Sequence, residues 1–467
     1  MTFASFKNAR IVKSGWLNEG GRRLDCNPYM SGALESRDLL RTLNAVKQPL
    51  SEVTERIFHA GREGRLWVDA PDFGVPFLGS SDIQNVDLSY LPLLSKKQID
   101  RNPLFIIGEK WVLVTRSGTI GRMAYSRRDM QGLACSEHVL RVVPDAEKIE
   151  PGYLFAFLSS SFGVPLVVSG TYGAIIQHIE PEHIASVPIP RFSGDQERYI
   201  ASLVDQASDD RASASAEIED VKAELSERLN LREQDLQSYK AKKLGFSVSV
   251  NEVLSTGRLE ATYHDAQVQE IEKRVTSLDH RKIADVAKVV KPGMFRRIKV
   301  DGPEWGYGFI TGSELFSIAP KPIYFVSPKT PNISECVLEP NWVLIQGFGQ
   351  IGGLIGRCIM TSGSMDNCAA TDLQIQVRLD HPSDAAYLFA FLSTFAGYRL
   401  LVRTPIGGSI PHIHPHDVEN LLIPWLEESE RREFGDRILE AWSKRERAIH
   451  LEDKAREEVE KLIRGDA

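Results

Sequence analysis

From about residue 21 to 192 the chain sets short apolar runs between Gly, Pro, Asp and Ser. The runs Val75–Leu78, Leu104–Ile107, Trp111–Thr115 and Val139–Val143 predict strands. Pro151 to about Phe162 predicts a helix, with Pro in its first turn and Leu154, Phe157 and Leu158 facing inward. Residues 246–425 repeat this order. Phe309–Thr311, Trp342–Gln346, Leu354–Met360 and Leu373–Val377 predict strands, and Ser383 is expected to cap a helix running to Phe395. Between and after these regions the pattern changes. Residues 194–243 lack proline, are rich in Ala, Glu, Lys and Arg, and place Ile218, Val221, Leu225 and Leu229 on one helical stripe. The C-terminal segment does the same with Phe434, Ile438, Trp442, Ile449, Val459 and Leu462. A helix of roughly 50 residues would be about 75 Å long. Neither stripe can be buried alone, so the two segments are expected to pair antiparallel.

The order repeats because the sequence repeats. Tyr153-Leu-Phe-Ala-Phe-Leu-Ser159 recurs as Tyr387-Leu-Phe-Ala-Phe-Leu-Ser393. Trp111-Val-Leu-Val114 leads to Gly118-Thr-Ile-Gly121, and Trp342-Val-Leu-Ile345 leads to Gly349-Gln-Ile-Gly352. His178-Ile179-Glu180-Pro181 runs to Ile189-Pro190, and His412-Ile413-His414-Pro415 runs to Ile423-Pro424. Arg23-Leu24-Asp25 matches Arg258-Leu259-Glu260. The period is too long for a solenoid. The expected fold is α+β, with two tandem globular α/β domains at 1–192 and 246–426. Each is followed by a long helix, 193–245 and 427–467, and the helices pair as an antiparallel coiled coil with pseudo-twofold symmetry.

With 467 residues and 25% charged positions, the chain has room for two or three cores. No apolar run reaches the length of a membrane span. The N-terminus lacks the basic-then-apolar order of a signal peptide. Five cysteines without CxxC spacing fit free thiols in a reducing cytoplasm. The net charge of −7 argues against a nucleic-acid partner until its location is considered. The acidic excess of residues 194–243 and 427–467 accounts for all of it. The globular regions sum to neutral, with basic clusters that a surface can focus.

Gly347-Phe-Gly-Gln-Ile-Gly352 is literally GxGxxG after a predicted strand. A dinucleotide site needs a helix next, whereas Leu354–Met360 reads as a strand, and the first copy, Arg116-Ser-Gly-Thr-Ile-Gly121, lacks the first glycine. A strand-connecting turn is expected in both. His412, His414 and His416 alternate as metal ligands can, but the matching segment keeps only His178, so structural or DNA-facing roles are expected. Asn27-Pro28-Tyr29 is a fragment of the loop with which amino-methyltransferases hold a base, without a cofactor-binding glycine turn ahead of it. Pro144-Asp145 with Glu147-Lys148 has the residue types of a nuclease core but not its spacing. No phosphate loop or nucleophile elbow is present. The chain reads as non-catalytic, with neither cofactor nor metal of its own.

The layout resembles the specificity (S) subunit of type I restriction–modification systems over nearly the whole chain. Arg23-Leu24-Asp25 with Tyr29, and Arg258-Leu259-Glu260 with Tyr263, resemble the start of that family's target-recognition domains. Arg116-Ser-Gly-Thr-Ile-Gly-Arg122 resembles its strand-turn-strand signature, and Val187-Pro-Ile-Pro190 with Gln196-Glu197 its junction into the conserved helix. The second copies depart, with Gln346-Gly-Phe-Gly in place of the Arg-Ser-Gly turn and Ser429-Glu430 where the Gln-Glu pair is expected. The resemblance implies one domain per half of a split, asymmetric double-stranded DNA site, with helices that hold the halves apart. It implies two docked methyltransferase (M) subunits carrying S-adenosylmethionine and methylating adenine, a restriction (R) subunit that cuts unmodified DNA, a cytoplasmic location and no membrane. A methylation-only or other phage-defence assembly, an enzyme built on the GxGxxG turn or histidines, and a helical scaffold that reads nothing are the rival readings.

Side chains able to span a base pair or clamp a phosphate are Arg62, Arg65, Arg101, Arg116, Ser117, Thr119, Arg122, Tyr172, Gln177 and His178 in the first domain. In the second they are Lys291, Arg296, Arg297, Lys299, Gln346, Gln350, Ser409 and His412. Lys288, Lys291, Arg296, Arg297 and Lys299 read as a basic loop around Pro292-Gly293. The repeated heptapeptide reads as core.

Overall fold

The computed structural model describes residues 11–19, 27–169, 178–237, 247–293 and 296–465. It contains two compact units, Met1–Ala212 with Arg447–Ala467, and Ser213–Glu446. The division runs through both long helices, so each unit takes a share of each helix, whereas the sequence boundaries at 192, 245 and 426 set the helices apart.

In the first unit the strands are β1 (Val46–Pro49), β2 (Thr54–Phe58), β3 (Trp67–Val68), β4 (Gly74–Leu78), β5 (Leu93–Ser95), β6 (Val112–Thr115), β7 (Met123–Tyr125), β8 (Ala134–Cys135), β9 (Val139–Pro144) and β10 (Pro188–Arg191). They form three sheets, ordered β2-β9-β6-β7, β3-β5-β4-β8 and β1-β10. The first sheet is antiparallel throughout, and β4 runs parallel to β8. Continuous apolar strands arise because β6 and β9 are covered on both faces. Val112 and Val114 pack with Leu140, Val142 and the heptapeptide helix, while Leu113 and Val139 pack on the other side with Leu78, Ile83 and Cys135.

The second unit repeats the topology. Its strands are β11 (His280–Lys282), β12 (Lys288–Val290), β13 (Lys299–Val300), β14 (Tyr307–Ile310), β15 (Tyr324–Val326), β16 (Val343–Gln346), β17 (Cys358–Met360), β18 (Cys368–Ala370), β19 (Gln374–Arg378) and β20 (Leu422–Pro424). The sheets are β12-β19-β16-β17, β13-β15-β14-β18 and β11-β20. Register is kept as well, with Val112 opposite Val142 and Val343 opposite Val377, and with Phe77 beside Ala134 and Phe309 beside Ala369.

The repeated heptapeptide lies on helices Pro151–Leu158 and Pro382–Ser393, and its Tyr, Leu and Phe residues are buried in both. Its tyrosine explains the second repeat, Ile-Pro. Tyr153 donates its hydroxyl to the Pro190 carbonyl on β10, and Tyr387 donates to the Pro424 carbonyl on β20 at 2.9 Å. Each hydroxyl thus ties the motif helix to the two-stranded sheet. After the motif the chain turns sharply into Gly163–Val168 or Phe395–Val402. A Cβ at Gly163 or Gly397 would lie 2.1 Å from the carbonyl oxygen of Phe157 or Phe391, so only glycine fits. Among the described residues no single helix is long and apolar enough to cross a membrane.

The long helices span Gly194–Arg228 and Glu428–Arg464. The first is shorter than the roughly 50 residues expected. Asn230 adopts φ 55°, and the Leu231 N–H reaches back to the Ser226 carbonyl, a left-handed cap that closes the helix. Within the first unit the pairing is keyed by Arg211 against Glu452, both almost fully buried, and by Arg447 on Asp210. Burial would raise the Glu452 carboxyl, but Arg211 and then Arg456 hold it below its ordinary range. Within the second unit Arg437 bridges Glu217 and Glu224, and Arg228 forks onto Glu430. Of the predicted stripes, Ile218, Val221, Leu225, Leu229, Phe434, Ile438, Trp442 and Val459 are buried, while Ile449 and Leu462 are half-buried and Ile463 takes the inner place.

Three local expectations change, and the two junctions into the long helices are held differently. Leu104–Ile107 is mostly a 3-10 turn, Pro103–Phe105, capped by the Asn102 side chain, not a strand. Ser383 does not cap its helix: His381 stands at the N-cap, Pro382 follows, and the Ser383 hydroxyl donates to Asp436. The strand expected over Leu354–Met360 shortens to Cys358–Met360, with turns before it. Glu197 is bidentate to Arg191, whereas in the second unit Arg431 packs over Trp425 and bonds Asp384. A cation–π contact thus stands where the first unit has an ion pair.

Candidate nucleic-acid interface

In the first unit the β6–β7 turn runs from Arg116 to Arg122. Gly118 (φ 75°) and Gly121 (φ 82°) supply its left-handed corners, and the Thr115 hydroxyl donates to the Thr119 carbonyl. Thr119 and Arg122 are exposed on it. Arg116 is not. Only 4% exposed, it donates to the Ile179 and Glu137 carbonyls and pairs with Glu180. Ser117 is buried against His138 Nδ1 at 2.6 Å. Both side chains hold the turn from within, which corrects their assignment as DNA contacts. His178 is half-buried. Tyr172, Gln177 and Arg23-Leu24-Asp25 lie outside the described residues.

The segments that carry Arg62, Arg65 and Arg101 come together although they are distant in sequence. Asn102 bonds the Ala60 carbonyl and Glu63, and Gln98 bonds Glu63, the Gly64 carbonyl and the Leu66 N–H, fastening the 60–66 segment to the helix Lys96–Arg101. Arg62 and Arg101 are exposed there. Arg65 lies over the Phe77 ring, 4.9 Å from its centroid, and pairs with Glu137 at 2.9 Å. Burial would raise the Glu137 carboxyl. Its backbone N–H and Arg65 more than offset this and hold it below the usual range. Nearby, burial and then Arg116 push His59 below its ordinary value.

In the second unit Gly347, not Gln346, stands at the place of Arg116. The Ile413 N–H bonds the Gly347 carbonyl as the Ile179 N–H bonds that of Arg116. Gln346 is buried, donating to the Phe348 carbonyl and accepting from Gln374, so it too is withdrawn from the DNA-contact set. Gln350 and Ser409 are exposed and joined, the Gln350 amide donating to the Ser409 carbonyl. His412 stacks on Phe348, and Lys291 lies over the same ring at 5.0 Å. The GxGxxG residues are followed by turns and then β17, where a dinucleotide site would have a helix next. No cluster of three metal-ligating side chains occurs among the described residues.

Arg296, Arg297 and Lys299 are exposed on or beside β13. Lys299 lies over Tyr324 at 4.2 Å. Arg297 lies over the Phe309 ring at 4.5 Å and pairs with Asp372 at 3.3 Å. This is the Arg65–Phe77–Glu137 arrangement again. The two arginine side chains are 30% and 37% exposed and their carboxylates 9% each. Each unit therefore presents one guanidinium stacked on a core aromatic and oriented by a buried acid. The acids were missed in the sequence because each is far from its arginine in the chain. Among the described residues burial pushes the Cys336 and Cys358 thiols up to about 12 and that of Cys368 up to about 11, and raises that of Cys135.

No family model and no curated protein matches the chain. Among solved structures it is similar to a type I restriction-modification system S subunit from M. genitalium, at 11% identity, over 90% of this chain and 96% of that one, with a TM-score of 0.36. It is similar also to an HsdS subunit from Thermoanaerobacter tengcongensis, at 14% identity over 91% and 95%, TM-score 0.26. A third similar chain, at 15% identity over 90% and 98% with a TM-score of 0.28, comes from a study of complex assembly and conformational transition in the type I R-M system.

Proposed function

We propose that this chain is the DNA sequence-recognition subunit of a type I restriction–modification complex. Each unit reads one half of a bipartite, asymmetric site in double-stranded DNA. The chain brings two methyltransferase subunits to that site in the cytoplasm, each modifying an adenine in one half, and a restriction subunit joins to cut unmodified DNA. The chain supplies no catalytic group, and S-adenosylmethionine sits on the methyltransferase.

One observation carries this reading. The two units keep the same three sheets and the same acid-held arginine, yet differ at the turn beside it, Arg116-Ser-Gly-Thr-Ile-Gly121 against Gly347-Phe-Gly-Gln-Ile-Gly352. A common scaffold with diverged faces is what reading two different half-sites requires. Phosphate contacts place such a scaffold, and base contacts specify. A single-site enzyme has no use for the duplication.

The test is single-molecule sequencing of DNA from cells that carry this chain with its neighbouring methyltransferase gene. Adenine methylation at a split motif that appears only with this chain is expected. Exchanging residues 21–192 for the equivalent domain of a relative should then change one half of the motif only. No new motif, with both proteins expressed and associated, would overturn the reading in favour of a scaffold. Restriction of unmodified phage, with and without the nuclease gene, separates a complete system from a methylation-only one.

A further inference from the structure

Glu137 has two carboxylate oxygens and two side-chain partners that lead in different directions. Oε2 accepts from Arg65 at 2.9 Å, while Oε1 faces His138 Nε2 at 3.4 Å. The other ring nitrogen, His138 Nδ1, meets the Ser117 hydroxyl at 2.6 Å. A line of side chains thus runs from Arg65 through Glu137 and His138 to Ser117. At one end is the guanidinium stacked on Phe77. At the other is the β6–β7 turn, with Thr119 and Arg122 exposed on it. The line has a direction. Glu137 is held below the usual carboxylate range, so it is ionised and only accepts. Its partner Nε2 therefore carries the imidazole proton, and Nδ1 accepts from Ser117.

The second unit keeps the arginine and the acid but lacks the bridge. The Arg116 N–H bonds the His138 carbonyl, and the Gly347 N–H bonds the Leu373 carbonyl. Leu373 therefore stands where His138 does, and Phe348 where Ser117 does. Neither of these side chains can hydrogen-bond, although Asp372 still holds Arg297. The turn is steadied instead by the Phe348–His412 stack and by Gln350 on the Ser409 carbonyl. The same strand pairing forms with leucine at this place, and the His138 side chain is 37% exposed, so the core does not demand an imidazole.

We infer that His138 is a positioning residue for reading the first half-site: through Ser117 and Glu137 it makes the β6–β7 turn and the stacked Arg65 respond to DNA together, whereas the turn and Arg297 of the second unit respond separately. The inference rests on the function proposed above. Groups in one hydrogen-bonded network do not contribute additively, because moving one resets the geometry of the next. A guanidinium that is already oriented also loses less freedom when DNA arrives. A wrong base pair that displaces the turn then loosens Arg65 as well, so the first half-site is rejected more sharply.

The test uses the full chain assembled with its methyltransferase, on duplexes carrying the motif found by sequencing or single base-pair changes in either half. Affinity and the methylation rate of each half are read for Arg65→Met, Ser117→Ala, the two combined, His138→Leu, and His138→Leu with Ser117→Ala. Ser117→Ala is expected to blunt discrimination in the first half-site roughly fivefold while the second is read as before. Added to Arg65→Met it should cost little more. His138→Leu should reproduce Ser117→Ala, and adding Ser117→Ala to it should change nothing further. In the second half-site, Gln350→Ala and Arg297→Met should give additive losses. Additive losses for Ser117→Ala and Arg65→Met would overturn the inference, as would unchanged discrimination in Ser117→Ala and His138→Leu. Losses that fall on both halves alike, or that follow the melting temperature of the free chain, would assign His138 a structural role and overturn it too. If His138→Leu does not fold, the cycle of Ser117→Ala and Arg65→Met decides by itself. An unaltered assembled complex that directs no motif would overturn the proposed function, before any variant is compared.

Discussion

Replacing Tyr153 or Tyr387 with Phe removes one oxygen from a site that is otherwise kept whole. Both rings are fully buried and keep their aromatic neighbours, Phe192 at 6.3 Å and Trp425 at 6.0 Å, so no cavity forms. What is lost is a hydrogen bond to a buried proline carbonyl. A buried acceptor left without its donor costs about 1–3 kcal/mol. For a unit of this size that corresponds to roughly 2–4 °C per kcal/mol. The assay is urea unfolding followed by tryptophan fluorescence, with each variant expected to lose stability by a similar amount. Burial also raises both phenol pKa values above the ordinary 10.0. The folded state keeps its proton while the unfolded chain ionises, so this contribution is whole below pH 10.0 and is lost as pH rises above it. The Phe variants should therefore show a flatter alkaline limb. A cost below about 0.3 kcal/mol in both would refute the lock between motif helix and two-stranded sheet. A change in the methylated motif without loss of stability would move the heptapeptide from the core to the reading surface.

Arg211→Met leaves Glu452 buried without its principal partner and should cost about 3–5 kcal/mol in denaturant unfolding, while Arg211→Met with Glu452→Met should recover most of it. A double variant as unstable as the single one would mean the pair is not what keys this part of the helix pairing. Arg65→Met or Arg297→Met should weaken DNA binding by the assembled complex about tenfold and lower the salt slope by about 1. The effect should appear in one half-site each, and unchanged binding would remove these arginines from the interface. Glu137 is held below the ordinary 4.5, so its pairing with Arg65 stabilises the fold fully above that pH and is lost as pH falls below it, through the lowered folded value. Glu137→Gln should narrow its stability gap from the unaltered chain in acid, and a gap that stays constant from pH 7 to pH 3 would contradict the ion pair.

The sequence was most informative where neighbours in the chain decide the outcome. Helix Pro151–Leu158 follows from a proline and seven mostly apolar residues, and β6 and β9 from unbroken apolar runs. It was less informative where local chemistry is subtle. Asn230 ends a helix that composition alone would extend, and Asn102 with Pro103 turns an apolar run into a 3-10 turn. The candidate contacts divide the same way. Thr119, Arg122, Gln350 and Ser409 are exposed on the loops where they were expected, because the glycines that shape those loops are adjacent to them.

By itself, then, the sequence determined the duplication, the order of elements in each copy, the amphipathic pairing of the two long helices and the absence of catalytic motifs. These properties are written in residue types and spacings along a single line. Only the tertiary structure decided which charged and polar side chains point outward. Arg116 turns in because Ile179 and Glu180 arrive from a remote segment to meet it, and Gln346 because Gln374 lies across the sheet. Arg65 and Arg297 remain half-exposed because Glu137 and Asp372, brought over by the parallel β4–β8 and β14–β18 pairs, hold each guanidinium on a phenyl ring. A buried charge must find a partner, and in this chain those partners are supplied by chain folding across tens of residues, a distance at which residue type carries no information about direction.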